Sequence, residues 1–184
     1  MKQHLFRLGF LCLATASAIA FAEHGPHVHG TGELHVAVEN KNLSIEFHSP
    51  LDNLIGFEYE PTTDAQRAAV KGMNEKLNKP DTLFKLPKAA ACVAGPVKLE
   101  SEFNKPPAKP AKGAKAAKKE EPEDDHAELR ATFGFVCADA SKLDSIEVVL
   151  FSAFPRTKTI KAEIIGPRGQ SAATLSPNRR VIKF

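Results

Sequence analysis

Gly32-Glu-Leu-His-Val-Ala-Val-Glu39, then Asn40-Lys-Asn42, then Leu43-Ser-Ile-Glu-Phe-His48 is the stretch that decides the architecture. Leu34, Val36 and Val38 fall on one side of an extended chain, with Glu33, His35, Ala37 and Glu39 on the other. Leu43, Ile45 and Phe47 repeat the pattern against Ser44, Glu46 and His48. A period of two is the signature of a half-buried strand, and the Asn-Lys-Asn between the runs is turn material. The stretch therefore reads as a β-hairpin with one apolar and one polar face. Two registers fit it. A two-residue loop at Lys41-Asn42 pairs His35 with His48, whereas a loop spanning Glu39 to Asn42 pairs Glu33 with His48 and His35 with Glu46. A shift of two residues does not turn a strand over, so both registers keep the two histidines on the polar face.

Outward from the hairpin, Thr63-Asp-Ala-Gln66 forms a capping box ahead of Ala69, Val70, Met73 and Leu77, and Asn78-Lys79-Pro80 stops the run. One amphipathic helix packing on a sheet is expected, with Met73 in the core. Strand patterns return at Leu129, Ala131, Phe133, Phe135 and Cys137, at Ile146 to Phe151, at Thr159 to Ile165 and at Val181 to Phe184. The fold class is α+β, an antiparallel β-rich domain with at least one amphipathic helix. Glu33-Leu34 matches Glu128-Leu129, and Ser44-Ile45-Glu46-Phe47 matches Ser145-Ile146-Glu147-Val148 in the same order. Two pseudo-repeated units and coincidence among common strand residues stand as alternatives.

Between the two strand regions the composition changes to Lys, Ala and Pro, followed by the acidic run Glu120-Glu-Pro-Glu-Asp-Asp125. Such a segment cannot bury an apolar face and is expected to be a disordered linker. The division is 1–22 signal segment, 23–103 hairpin-plus-helix unit, 104–125 linker, and 126–184 C-terminal β unit packing with the first as one domain.

Residues 1–22 show a positive start at Lys2 and Arg7, a short apolar stretch, and Ala20-Phe21-Ala22 before Glu23, the pattern of a cleaved secretory signal. Leu11 before Cys12 does not fit a lipoprotein signal. An exported periplasmic protein is expected, with no membrane insertion after cleavage. Of the formal charge of +3, removal of Lys2 and Arg7 leaves about +1, which argues against nucleic acid and anionic lipid as partners. The lysine run has no interleaved aromatics, and the acids after it nearly cancel it. Cys92 and Cys137 remain after cleavage, and two cysteines in an exported chain usually pair. Buried free thiols and a thiolate metal site are the alternatives, and no Cys-x-x-Cys favours the latter. A Cys92–Cys137 disulfide is expected.

The polar residues point to metal. His24-Gly-Pro-His27-Val-His29 follows the signal at once, His35 lies on the first strand, and His126 stands two residues before Glu128. Imidazole and carboxylate are the donors zinc takes, about four at a time in a tetrahedron. The candidate ligands are His24, His27, His29, His35 and His126 with Glu33, Glu128, Asp124 and Asp125. They could converge at one sheet end if the strands opened by Glu33 and Glu128 are neighbours. His48 alone reads as a strand-surface histidine. Zinc is the expected ion, although copper(II) and nickel(II) suit the same donors. No His-Glu-x-x-His, Gly-x-Ser-x-Gly or phosphate-cradling glycine loop is present, so no enzyme is expected. A metal-independent adhesive or assembly module is the competing class.

Four blocks carry a family resemblance. His27-Val-His-Gly-Thr-Gly-Glu-Leu34 resembles the opening of ZrgA-like periplasmic zinc-uptake proteins. So do the block Ser49-Pro50 with Asn53-Leu54 and Gly56-Phe57-Glu58, the block His126-Ala-Glu-Leu129 running into Phe135 and Cys137, and the block Leu150-Phe151 with Phe154-Pro155. The resemblance implies a zinc-binding accessory, expected to be a monomer, that delivers metal to inner-membrane importer components. The linker departs from it. Relatives carry a histidine- and aspartate-rich loop where this chain has Lys, Ala and Pro, and protonated lysine is not a ligand. One or two zinc ions per chain are expected rather than many.

Overall fold

The computed structural model describes residues 28–104 and 127–184. The hairpin forms from β1 (Thr31–Glu39) and β2 (Asn42–Pro50), and the register is the one that places Glu33 opposite His48 and His35 opposite Glu46. Asn40 takes a left-handed φ of 53° in the tight connection, and Glu39 pairs with Asn42. Asparagine tolerates that conformation better than most residues, and a turn shifted by one position would ask it of Lys41 instead.

Seven more strands follow: β3 (Phe84–Lys85), β4 (Cys92–Ser101), β5 (Glu128–Cys137), β6 (Ser145–Val148), β7 (Thr159–Gly166), β8 (Gly169–Leu175) and β9 (Val181–Lys183). Six of the nine make one sheet in the order β4-β5-β2-β1-β7-β8, and β3-β6-β9 make a second. All pairs in the large sheet are antiparallel except β1 with β7, which run parallel, so the sheet is mixed. The helices are α1 (Asp52–Ile55), α2 (Asp64–Leu77), α3 (Pro80–Leu83) and α4 (Leu150–Ala153). The apolar run from Ile146 therefore divides, giving a strand to Val148 and a helical turn from Leu150.

Alternation decides the layers. Leu34, Val36, Leu43, Ile45, Phe47, Leu129, Ala131, Phe133 and Phe135 are buried on the inner face of the large sheet. They form one core with Val70, Met73 and Leu77 of α2 and with Phe84, Ile146, Val148 and Ile182 of the small sheet. Phe84 meets Phe133 edge-on, with centroids 5.1 Å apart, and links the two sheets. The capping box of α2 is present: Gln66 N donates to Thr63 Oγ1 at 3.2 Å and Thr63 N to Gln66 Oε1 at 3.0 Å. Gly32 is a packing glycine, because a Cβ there would lie 2.9 Å from Phe47 Cε2. Burying the inner face leaves the opposite face of the large sheet to carry the polar residues.

The pairing does not support two repeated units. β1 pairs with β2, but their counterparts β5 and β6 lie in different sheets. The Cys92–Cys137 disulfide is present, joining directly opposed residues of β4 and β5 across a sequence separation of 45.

Candidate metal centre

Backbone pairing lays the outer face of the large sheet out in rows across the strands. One row runs Glu100, Arg130, His48, Glu33, Lys161, and the next runs Lys98, Thr132, Glu46, His35, Glu163. The middle of these rows gathers two imidazoles and three carboxylates over β2, β1 and β7. One donor atom from each of Glu33, His35 and His48 lies within 4.8 Å of the other two. A tetrahedral zinc ion with bonds near 2.1 Å spaces its donors about 3.4 Å apart, so small side-chain rotations close the group on an ion. The rings of His35 and His48 stand edge-on, 5.5 Å between centroids and 72° between planes.

Each imidazole also has a carboxylate at one ring nitrogen. His48 Nε2 bonds Glu46 Oε1, and His35 Nδ1 lies 3.3 Å from Glu163 Oε2. Arg130 Nε stands 3.5 Å from the same oxygen of Glu46. Burial alone would raise the Glu46 carboxyl. The hydrogen bond from His48 and the charges of His48, Arg130 and His35 outweigh it and hold the group below its ordinary value. The surroundings differ in depth. The His48 side chain keeps 11 % of its surface exposed, whereas His35 keeps 41 % and Glu163 75 %. A cavity of 540 Å³ opens beside His35, Glu46 and Glu163 over Ala37, Ile165 and Ala172. Another, of 270 Å³, opens on the other side of His48 between Glu100, Glu102 and Glu128.

The expected ligands are placed as follows. Glu33 and His35 join the three-donor group. His29 is at the entry to β1, where its Nε2 lies 3.1 Å from Glu58 Oε1, outside that group. Glu128 opens β5 opposite Pro50, and its backbone N–H donates to Glu102 Oε2 at 3.0 Å. β2 lies between β1 and β5, so Glu33 and Glu128 are not on neighbouring strands. His24, His27, His126, Asp124 and Asp125 lie outside the described residues. The residue pattern alone leaves His48 as a strand-surface histidine and gives Glu46 no role, yet the two stand opposite Glu33 and His35. The signal for both was the second hairpin register, which sets them against Glu33 and His35.

Asn53 fixes the approach to β1. It is 1 % exposed, accepts from Gly30 N at 2.5 Å, and donates through Nδ2 to Thr31 O at 2.9 Å and Ser49 Oγ at 3.1 Å. Asn53→Ala is expected to cost about 1–3 kcal/mol, because partly buried backbone groups of Gly30 and Thr31 and the buried Ser49 hydroxyl lose their partner. Urea unfolding measures it, and an unchanged midpoint would refute the anchoring role.

Residues 26–184 match the family model described as ZrgA family zinc uptake protein. No curated protein matches the chain.

Proposed function

The chain belongs to the ZrgA family of zinc uptake proteins, and on that premise we propose that it is an exported, non-enzymatic carrier. It takes zinc at Glu33, His35 and His48 in the periplasm and passes the ion to an inner-membrane uptake system. The observation that carries this reading is the convergence of those three donors within 4.8 Å on an otherwise ordinary strand face. Imidazole with carboxylate is zinc chemistry, and Glu46 and Glu163 behind the rings resemble the carboxylates that orient metal-bound histidines elsewhere. Further donors are proposed from His24, His27, His29, His126, Asp124, Asp125 and Glu128, since zinc in a protein site takes about four. The disulfide suits an oxidising compartment. Among the described residues no helix is long and apolar enough to cross a membrane. Copper(II) binds such donors more tightly than zinc, so the cargo is set by which metal is supplied.

Calorimetric titration of the purified protein tests the proposal. Saturable binding of one or two zinc ions at micromolar or tighter affinity is expected. Binding should weaken as the pH is lowered, because a metal ligand must give up its proton to bind. Absence of saturable binding would overturn the carrier and leave the metal-independent assembly module.

A further inference from the structure

We propose that the two histidines take zinc through different ring nitrogens, His48 through Nδ1 and His35 through Nε2, and that Glu46 is the positioning residue that fixes this choice. The inference rests on reading Glu33, His35 and His48 as the zinc site.

A neutral imidazole has one lone pair for a metal, and its other nitrogen carries the proton. A carboxylate only accepts hydrogen bonds, so the nitrogen that faces it is the protonated one. At His48 that nitrogen is Nε2, bonded to Glu46 Oε1, which assigns Nδ1 to the metal. At His35 the nitrogen facing Glu163 is Nδ1, at 3.3 Å, which assigns Nε2. The two rings stand 72° apart with centroids 5.5 Å apart, so the pair would meet one ion from different planes. The two choices also differ in reach. Nδ1 is next to the ring carbon that joins the side chain, and Nε2 is at the far side of the ring.

The two carboxylates are unequal partners. Glu46 stands two residues from His48 on the same strand and face, and Arg130 on β5 holds the same oxygen that His48 bonds. Glu163 reaches His35 from β7 through a side chain that is 75 % exposed. Competition from water is stronger there than at Glu46, whose side chain is 35 % exposed. Glu46 therefore governs the orientation of His48, and Glu163 contributes less to that of His35.

Long-range proton–nitrogen correlation spectra of histidine-labelled, zinc-loaded protein test the assignment, with H35Q and H48Q identifying the signals. The expected pattern has metal on Nδ1 and a proton on Nε2 for His48, and the reverse for His35. E46Q should weaken zinc binding roughly tenfold, in line with other orienting partners of metal-bound histidines, and should mix the His48 tautomers. E163Q should lose less. R130M, which removes only the anchor of Glu46, gives an intermediate loss and serves if E46Q does not fold. Both histidines coordinating through the same nitrogen overturns the proposal, as does an unchanged His48 pattern in folded E46Q and R130M. Zinc that perturbs neither ring overturns the site itself, which separates that failure from a wrong choice of nitrogen.

Discussion

Replacing His35 and His48 together, as H35A/H48A, is expected to lower zinc affinity by more than about 100-fold and to leave the fold intact. Loss of an orienting partner alone costs roughly 10–100-fold in metal sites, and this variant removes two donors outright. Of the three-donor group only Glu33 is left, and a single carboxylate adds little to whatever further donors remain. The fold should survive, because the core beneath, with Leu34, Val36 and Phe47, is untouched, while loss of the His48 side chain, 11 % exposed and bonded to Glu46, costs some stability. Alanine there also removes no cross-strand hydrogen bond of the backbone. Titration calorimetry with thermal unfolding of the metal-free variant makes the comparison. The informative control is H27A/H29A/H126A, which leaves Glu33, His35 and His48 in place. A small loss in that triple variant with a large one in H35A/H48A places the main site on the strands. The reverse result would move it to His27, His29 and His126 and sink the Glu33–His35–His48 assignment.

The layers of this fold are readable because alternation of period two leaves little choice. Leu34, Val36, Leu43, Ile45 and Phe47 go inward as their spacing requires, and Leu129 to Cys137 do the same on β5. The α2 helix is equally plain, since Thr63 and Gln66 cap it and Val70, Met73 and Leu77 mark its buried stripe. Register is harder. Asn40-Lys41-Asn42 supports either of two turns, and only the left-handed Asn40 chooses between them. That choice is what sets His48 against Glu33. Long-range pairing is harder still. β1 and β7 are distant in sequence and run parallel, so nothing local in Thr159 to Ile165 reveals that Glu163 will stand beside His35. A lone histidine at the end of a strand pattern also carries no mark of its use. His48 becomes notable only when Glu46, Glu33 and His35 surround it. The clustered N-terminal histidines are conspicuous in sequence because they are adjacent in it, which is a different property from being assembled by a sheet.

C92A/C137A is expected to cost roughly 4 kcal/mol of folding stability, the chain-entropy value for a crosslink over 45 residues. Against the 5–15 kcal/mol typical of a domain this is a large share, and it corresponds to a fall in melting temperature of about 10–15 °C. The position of the bridge explains why the loss is concentrated. β4 is an edge strand, hydrogen-bonded to β5 alone, and its ladder shifts register between Ala94 and Val97 beside Pro96. The disulfide closes the end of that ladder and sets the two ends of a long connection opposite each other. Without it, β4 has only the ladder to β5 and its half-buried side chains to keep it on the sheet, and fraying should begin there. Zinc affinity of the folded fraction should stay unchanged, because Arg130, beside His48, is seven residues along β5 from Cys137, a distance of about 23 Å. Thermal unfolding of the double variant, and of the native protein with and without a thiol reductant, tests this. A reductant-treated native protein that melts at the unreduced temperature would remove the stabilising role. A variant that loses zinc affinity along with stability would show instead that the edge strand and the metal face are coupled through β5, the strand that carries both Cys137 and Arg130.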